Sequence, residues 1–115
     1  MKIKNEADLN FELSELGGAK GVYRKYLIIG EDGAKKFYMR MYKVEKDGYT
    51  PLHKHEYEHE VFVLNGEGVI VSKEGEKPIR KGDAIYIGSN ELHQLKNYKD
   101  EPLVFICIRG LEEIY

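Results

Sequence analysis

Residues 53–66, HKHEYEHEVFVLNG, decide how the chain is read. Three of its four histidines fall within seven positions there and lead straight into an apolar run. In extended chain, side chains alternate faces, so His53, His55 and His59 share a parity and point the same way if the segment is extended throughout. Glu58 and Glu60 have the opposite parity. Imidazole nitrogen is a ligand for Zn, Fe, Ni, Cu and Mn, and a site needs several of them converging on one point. The fourth histidine, His93, lies in GDAIYIGSNELHQLKN (residues 82–97), a strand, turn and strand able to fold back and complete the set.

Outward from this stretch the chain is rich in β-formers and punctuated by glycine-bearing turns. Residues 22–29 read as a strand closed by GEDG (residues 30–33). Residues 36–45 form the next, with Phe37, Met39 and Met41 on one face and Tyr38, Arg40, Tyr42 and Val44 on the other. Neither face is polar, so both need cover: one from a barrel interior, the other from an N-terminal arm or a second copy of the chain. A homodimer is expected on that ground. KDG (residues 46–48) reads as a turn, and NGEG (residues 65–68) as a tight hairpin joining strands 61–64 and 69–72. KEGEKP (residues 73–78) reads as a surface turn, and KGD (residues 81–83) turns into strand 84–87 with Asp83 as the turn cap. Strands 94–98 and 103–108 close the pattern. Nine or ten short strands at this spacing predict an all-β sandwich or barrel. Residues 1–20, with sparse Leu9, Phe11, Leu13 and Leu16, read as an arm; residues 21–115 read as the single barrel domain.

At 115 residues, 42% hydrophobic and 33% charged, the chain is expected to be one soluble domain. A net charge of −2 with mixed signs gives no electrostatic reason for a nucleic-acid partner. The single cysteine, Cys107, allows no internal disulfide and suits a reducing compartment. Charges occupy the start, MKIKNEADLNFEL, where a secretory signal needs an apolar core. No stretch approaches the ~20 apolar residues of a membrane span, so the cytoplasm is expected.

The two histidine stretches carry a family resemblance. Residues 48–66 read G-x4-H-x-H-x3-H-x6-G and residues 82–97 read G-x5-G-x-N-x2-H-x3-N. Together they resemble the two motifs of the cupin superfamily, over about half of the chain. His59 stands where the family pattern usually has glutamate, which is similar to the four-histidine branch of small cupins; Glu60 fits a looser spacing and is the alternative ligand. Gly88 and Asn90 replace the usual proline and glycine of the second motif, and asparagine can take the left-handed conformation a glycine would supply.

The resemblance implies a jelly-roll barrel with one divalent transition-metal ion near its mouth, held by His53, His55, His59 and His93. Four neutral imidazoles leave the ion its full charge, and an octahedral ion keeps two open positions. Mn, Fe, Ni and Co suit such a site best, with Zn and Cu also compatible. The function implied is that of a small metal-dependent oxidoreductase, dioxygenase-like, acting on a small organic molecule. An isomerase or lyase using the ion as a Lewis acid, and a non-catalytic binder, are the alternatives. No catalytic side chain is singled out beyond the ligands. Arg40 is a candidate for a substrate anion or for an ordinary ion pair. On the last strand, either Phe105 and Cys107 or Ile106 and Ile108 line the pocket, with Cys107 read as a buried thiol.

Overall fold

In the computed structural model, which describes residues 1–111, nine strands form one strongly curled sheet. They are β1 (Glu12–Leu13), β2 (Lys20–Ile28), β3 (Phe37–Tyr49), β4 (His59–Asn65), β5 (Glu67–Ser72), β6 (Gly75–Arg80), β7 (Ala84–Ile87), β8 (Gln94–Lys96) and β9 (Leu103–Gly110). The strand order is β6-β5-β8-β3-β9-β4-β7, with β2 on β3 and β1 on β2. This is the jelly-roll architecture expected from the sequence. Long β3 joins its halves: residues 37–44 pair with β9, while Tyr49 pairs with Lys96 of β8.

Alternation fixes which side chains turn inward. In β4, His59, Val61 and Val63 are buried while Glu60 and Phe62 are exposed; in β9, Leu103, Phe105 and Cys107 are buried. Val61, Val63, Leu103, Phe105 and Cys107 make the core together with Val22, Val44, Ile79, Ile87 and Leu95. Asn97, the last position of the second motif, is fully buried beside it. Its Nδ2 donates to Val44 O and Glu101 O, and its Oδ1 accepts from the Lys99 N–H. Its amide therefore ties the chain after β8 to β3, and a buried amide with these partners is satisfied rather than costly.

On the opposite face of β3, Met41 is buried although it points away from the core. Neighbouring Lys25 is also buried, with its Nζ donating to Glu6 O and Glu6 Oε2 and lying 4.4 Å from the Phe11 ring centroid. The N-terminal segment thus covers part of the second apolar face. Farther across that face, Phe62 (47% exposed) and Tyr86 (60%) flank Ile106 and Ile108.

Three turns differ from the sequence reading. NGEG is not a hairpin: β4 pairs with β7 and β9, whereas β5 pairs with β6 and β8. At Gly66 (φ +82°) the chain steps from one half of the barrel to the other. KDG is not a turn either, because β3 runs through it, with Asp47 at φ +62° and a register shift in the pairing with β2. Between the Lys20–Tyr49 and Val22–Val44 pairs β3 carries three more residues than β2, and extra residues accommodated in a strand increase its bend, which is how β3 reaches both halves. Gly48 lies at that bend, where an added Cβ would sit 2.7 Å from Lys20 O. Residues 73–78 also differ. Only Lys73 and Glu74 turn, and Pro78 lies within β6, an edge strand where its missing N–H costs little.

Candidate metal centre

His59 is the first residue of β4, and its registry with Ile87 and Arg109 turns its side chain into the barrel. His53 and His55 precede β4 in a loop that bends at Glu56 and Tyr57, so the segment is not extended throughout. What brings them in is the second motif. His53 and His93 exchange backbone hydrogen bonds, N–H to O at 3.2 and 3.0 Å, and the Asn90 N–H donates to His55 O at 2.7 Å. Asn90 stands at φ +59°, the left-handed conformation expected of it. Asp83 caps its turn by accepting the Arg80 N–H.

The four imidazoles converge. Ligand atoms of His53, His55 and His93 all lie within 4.8 Å of one another, so this trio can hold a metal ion. His59 stands against it, with its Nε2 2.9 Å from His55 Nε2 and its ring centroid 5.4 Å from that of His93. The His55 Nδ1–H donates to Tyr57 O at 2.9 Å and the His93 Nδ1–H to Glu91 O at 2.8 Å, which leaves both Nε2 lone pairs toward the cluster. Glu60 is exposed, between Ile108 and Tyr86 on the outer surface.

Burial holds every one of these rings below the ordinary histidine value of 6.5. His55 is pushed down to about 4. His59, where the Arg40 guanidinium adds to burial, is pushed down to about 2. Neutral rings keep their lone pairs, so the donor set fits a divalent ion at neutral pH. The same depression makes stability depend on pH. As pH falls below 6.5 the unfolded chain binds protons that the folded site refuses, so stability is lost progressively from there toward pH 4. Metal-stripped protein is therefore expected to melt at a lower temperature at pH 5 than at pH 7. Thermal unfolding across that range checks this, and a flat profile would contradict it.

A cavity of about 90 Å³ adjoins the rings. Its wall includes His53, His59 and His93 together with Arg40, Phe105 and Cys107, so of the two candidate pairs on β9 the inward one is Phe105 and Cys107. Arg40 Nη1 donates to the Tyr42 hydroxyl at 2.8 Å and Nη2 to Cys107 Sγ at 3.3 Å. No carboxylate pairs with Arg40 among the described residues, and its Nε is buried without a partner. Burial pushes the Cys107 thiol up, with Arg40 opposing.

Tyr57 is a wall residue that the sequence reading did not single out. Its ring stacks on His55 at 3.7 Å, and the Arg109 guanidinium lies 3.6 Å from its centroid. The available signal was parity, since Tyr57 falls between His55 and His59 in the same odd-numbered series.

The fold and the site define a small jelly-roll barrel with a histidine cluster at the mouth of an inner cavity. Residues 40–109 match the Cupin_2 family of cupin domains, and the chain belongs to the cupin superfamily. It is 29% identical over 100 residues to an oxalate-binding protein from Thermotoga maritima, covering 84% of this chain and 82% of that one. Among solved structures it is similar to the polyketide cyclase RemF from Streptomyces resistomycificus, with 31% identity, a TM-score of 0.92, and 97% of this chain and 80% of that one covered. It is also similar to a predicted oxalate decarboxylase from Thermotoga maritima, with 26% identity, a TM-score of 0.86, and coverage of 96% and 99%.

Proposed function

We propose that the protein is a metal-dependent cupin enzyme acting on a small, oxygen-rich organic molecule, with one divalent ion held by His53, His55, His59 and His93. The observation that carries this is the convergence of four imidazoles, kept neutral by burial, beside an inner cavity whose wall includes His53, His59 and His93. Mn, Fe, Ni or Co suit the donor set best, and Zn or Cu are compatible. Such an ion supplies Lewis acidity to a substrate oxygen and, where it is redox-active, electron transfer as well. Arg40 adds a fixed positive charge to the cavity wall, which favours a substrate carrying a carboxylate, enolate or phenolate. The likeness to an oxalate-binding protein supports a small oxygen-rich ligand.

Two chemistries follow from this site. Dioxygenase-like oxidoreductase chemistry is the first, supported by the apolar wall of Val22, Val61, Ile87, Leu95 and Phe105, which suits dioxygen and excludes water. Redox-neutral chemistry of the lyase or isomerase kind is the second, supported by the likeness to a polyketide cyclase along 97% of this chain. A panel of small dicarboxylates, diketones and phenols, assayed with and without air on metal-loaded protein, separates them. Substrate-dependent oxygen uptake supports the first, and equal turnover without air the second. Thermal stabilisation by a compound that is never turned over would leave a binding protein instead.

The same reading includes a homodimer in the cytoplasm. The N-terminal segment covers the outer face at Lys25, while Phe62 and Tyr86 stay exposed farther across beside Ile106 and Ile108, and a second copy would cover them. Among the described residues no helix is long and apolar enough to cross a membrane. Light scattering is expected to give twice the 13.3 kDa chain mass, and Phe62→Asp to return it to that of one chain. A monomer in the unsubstituted protein rejects the dimer.

A further inference from the structure

The hydrogen-bond partners of His59 set it apart from its neighbours. His55 and His93 each place the Nδ1 proton on a backbone carbonyl, which fixes the tautomer and frees Nε2. His59 has no such carbonyl. Its Nδ1 faces two side chains, Cys107 Sγ at 3.1 Å and Arg40 Nη2 at 3.5 Å. Guanidinium only donates, so a bond from Arg40 needs a bare Nδ1 and leaves the His59 proton on Nε2, aimed at His55 Nε2. In that tautomer His59 is no ligand. Ligation through Nε2 instead requires the proton on Nδ1, and that proton needs an acceptor.

We propose that Cys107 is a positioning residue for His59: its sulfur accepts a hydrogen bond from the Nδ1–H and holds the tautomer in which the Nε2 lone pair faces the other three histidines. The strands deliver it there. β9 lies between β3 and β4, with Cys107 opposite Arg40 on one side and Val61 on the other, so the sulfur falls between the guanidinium and the His59 ring. Arg40 Nη2 donates to the same sulfur at 3.3 Å, shorter than its 3.5 Å approach to Nδ1, and Nη1 is engaged by the Tyr42 hydroxyl. The sulfur is thus the only acceptor on the Nδ1 side of the ring among these contacts. This assignment rests on the reading of the four histidines as a metal site.

Two substitutions separate this role from packing. Cys107→Ser keeps an acceptor at the position, whereas Cys107→Val fills the space without one. Full-length protein, stripped and reloaded, is titrated with Ni²⁺ or Mn²⁺ against a competing chelator, and thermal unfolding of the stripped variants is measured beside it. Cys107→Val is expected to bind the ion roughly 10–100-fold more weakly, the cost of losing an outer partner of a ligating histidine, while Cys107→Ser stays within about threefold of the parent. Stability is expected to run the other way, because valine suits a buried apolar position and serine does not. Opposite orders of affinity and stability support the assignment. Cys107→Val binding as tightly as the parent, or both variants losing affinity in proportion to their loss of stability, overturns it alone. A parent protein that binds neither ion overturns the metal reading, and the assignment falls with it.

Discussion

His59→Ala is expected to lose most of the protein's metal affinity, by more than the roughly 10–100-fold that loss of an outer partner costs, because it removes a ligand outright. Glu60→Ala is expected to stay within about twofold, as an exposed carboxylate outside the site contributes little. The reason is phase. The loop bends at Glu56 and Tyr57, and a shift of one residue there would have turned Glu60 inward. β4 instead registers His59 with Ile87 and Arg109, leaving His59 7% exposed and Glu60 on the outer surface between Ile108 and Tyr86. Competitive metal titration of both variants checks this. Retained affinity in His59→Ala with loss in Glu60→Ala would assign the ligand to glutamate.

What could be seen in the sequence was whatever parity and side-chain type report directly. Strands β2, β4, β7 and β9 were visible as apolar runs, and the four histidines were visible as a set. That Arg40, Tyr42 and Val44 share one face also followed from alternation, whereas which face of β3 turns inward did not. Strand pairing was not visible, because alternation says which face a residue takes but not which strand lies beside it. NGEG therefore looked like a hairpin although Asn65 and Glu67 belong to different halves of the barrel. KDG looked like a turn because a positive-φ residue beside glycine serves a bulge as well as a reversal. The convergence of the histidines was expected for a partly wrong reason. Shared parity brings them together only in an extended segment, whereas the bridge between His53 and His93 and the Asn90 bond to His55 draw a bent loop into place. Those are contacts over a long stretch of sequence, and no local pattern encodes them. The contact of Cys107 with His59 is of the same kind, since the two residues meet only across paired strands.

Gly66→Ala is expected to cost about 2–5 kcal/mol of folding stability. Two effects combine. Gly66 stands at φ +82°, where an L side chain costs roughly 1–2 kcal/mol. Its added Cβ would also meet Pro102 O at 2.4 Å and Pro102 C at 3.1 Å, a clash with backbone that no rotamer relieves. Overpacking of that sort adds roughly 1–3 kcal/mol. Pro102 immediately precedes β9, and the Asn65 Nδ2 donates to the same Pro102 carbonyl, so the shift needed to relieve the clash would reach the strand carrying Phe105 and Cys107. Gly75→Ala is the control. Gly75 also has a positive φ, +106°, but nothing lies within 4 Å of its added Cβ, so only the conformational cost applies. Thermal and denaturant unfolding of the two variants is expected to place Gly66→Ala well below Gly75→Ala, with metal affinity reduced in the first and unchanged in the second. Equal losses would mean that the step between barrel halves tolerates a side chain, and that the last glycine of the first motif is held by conformation alone.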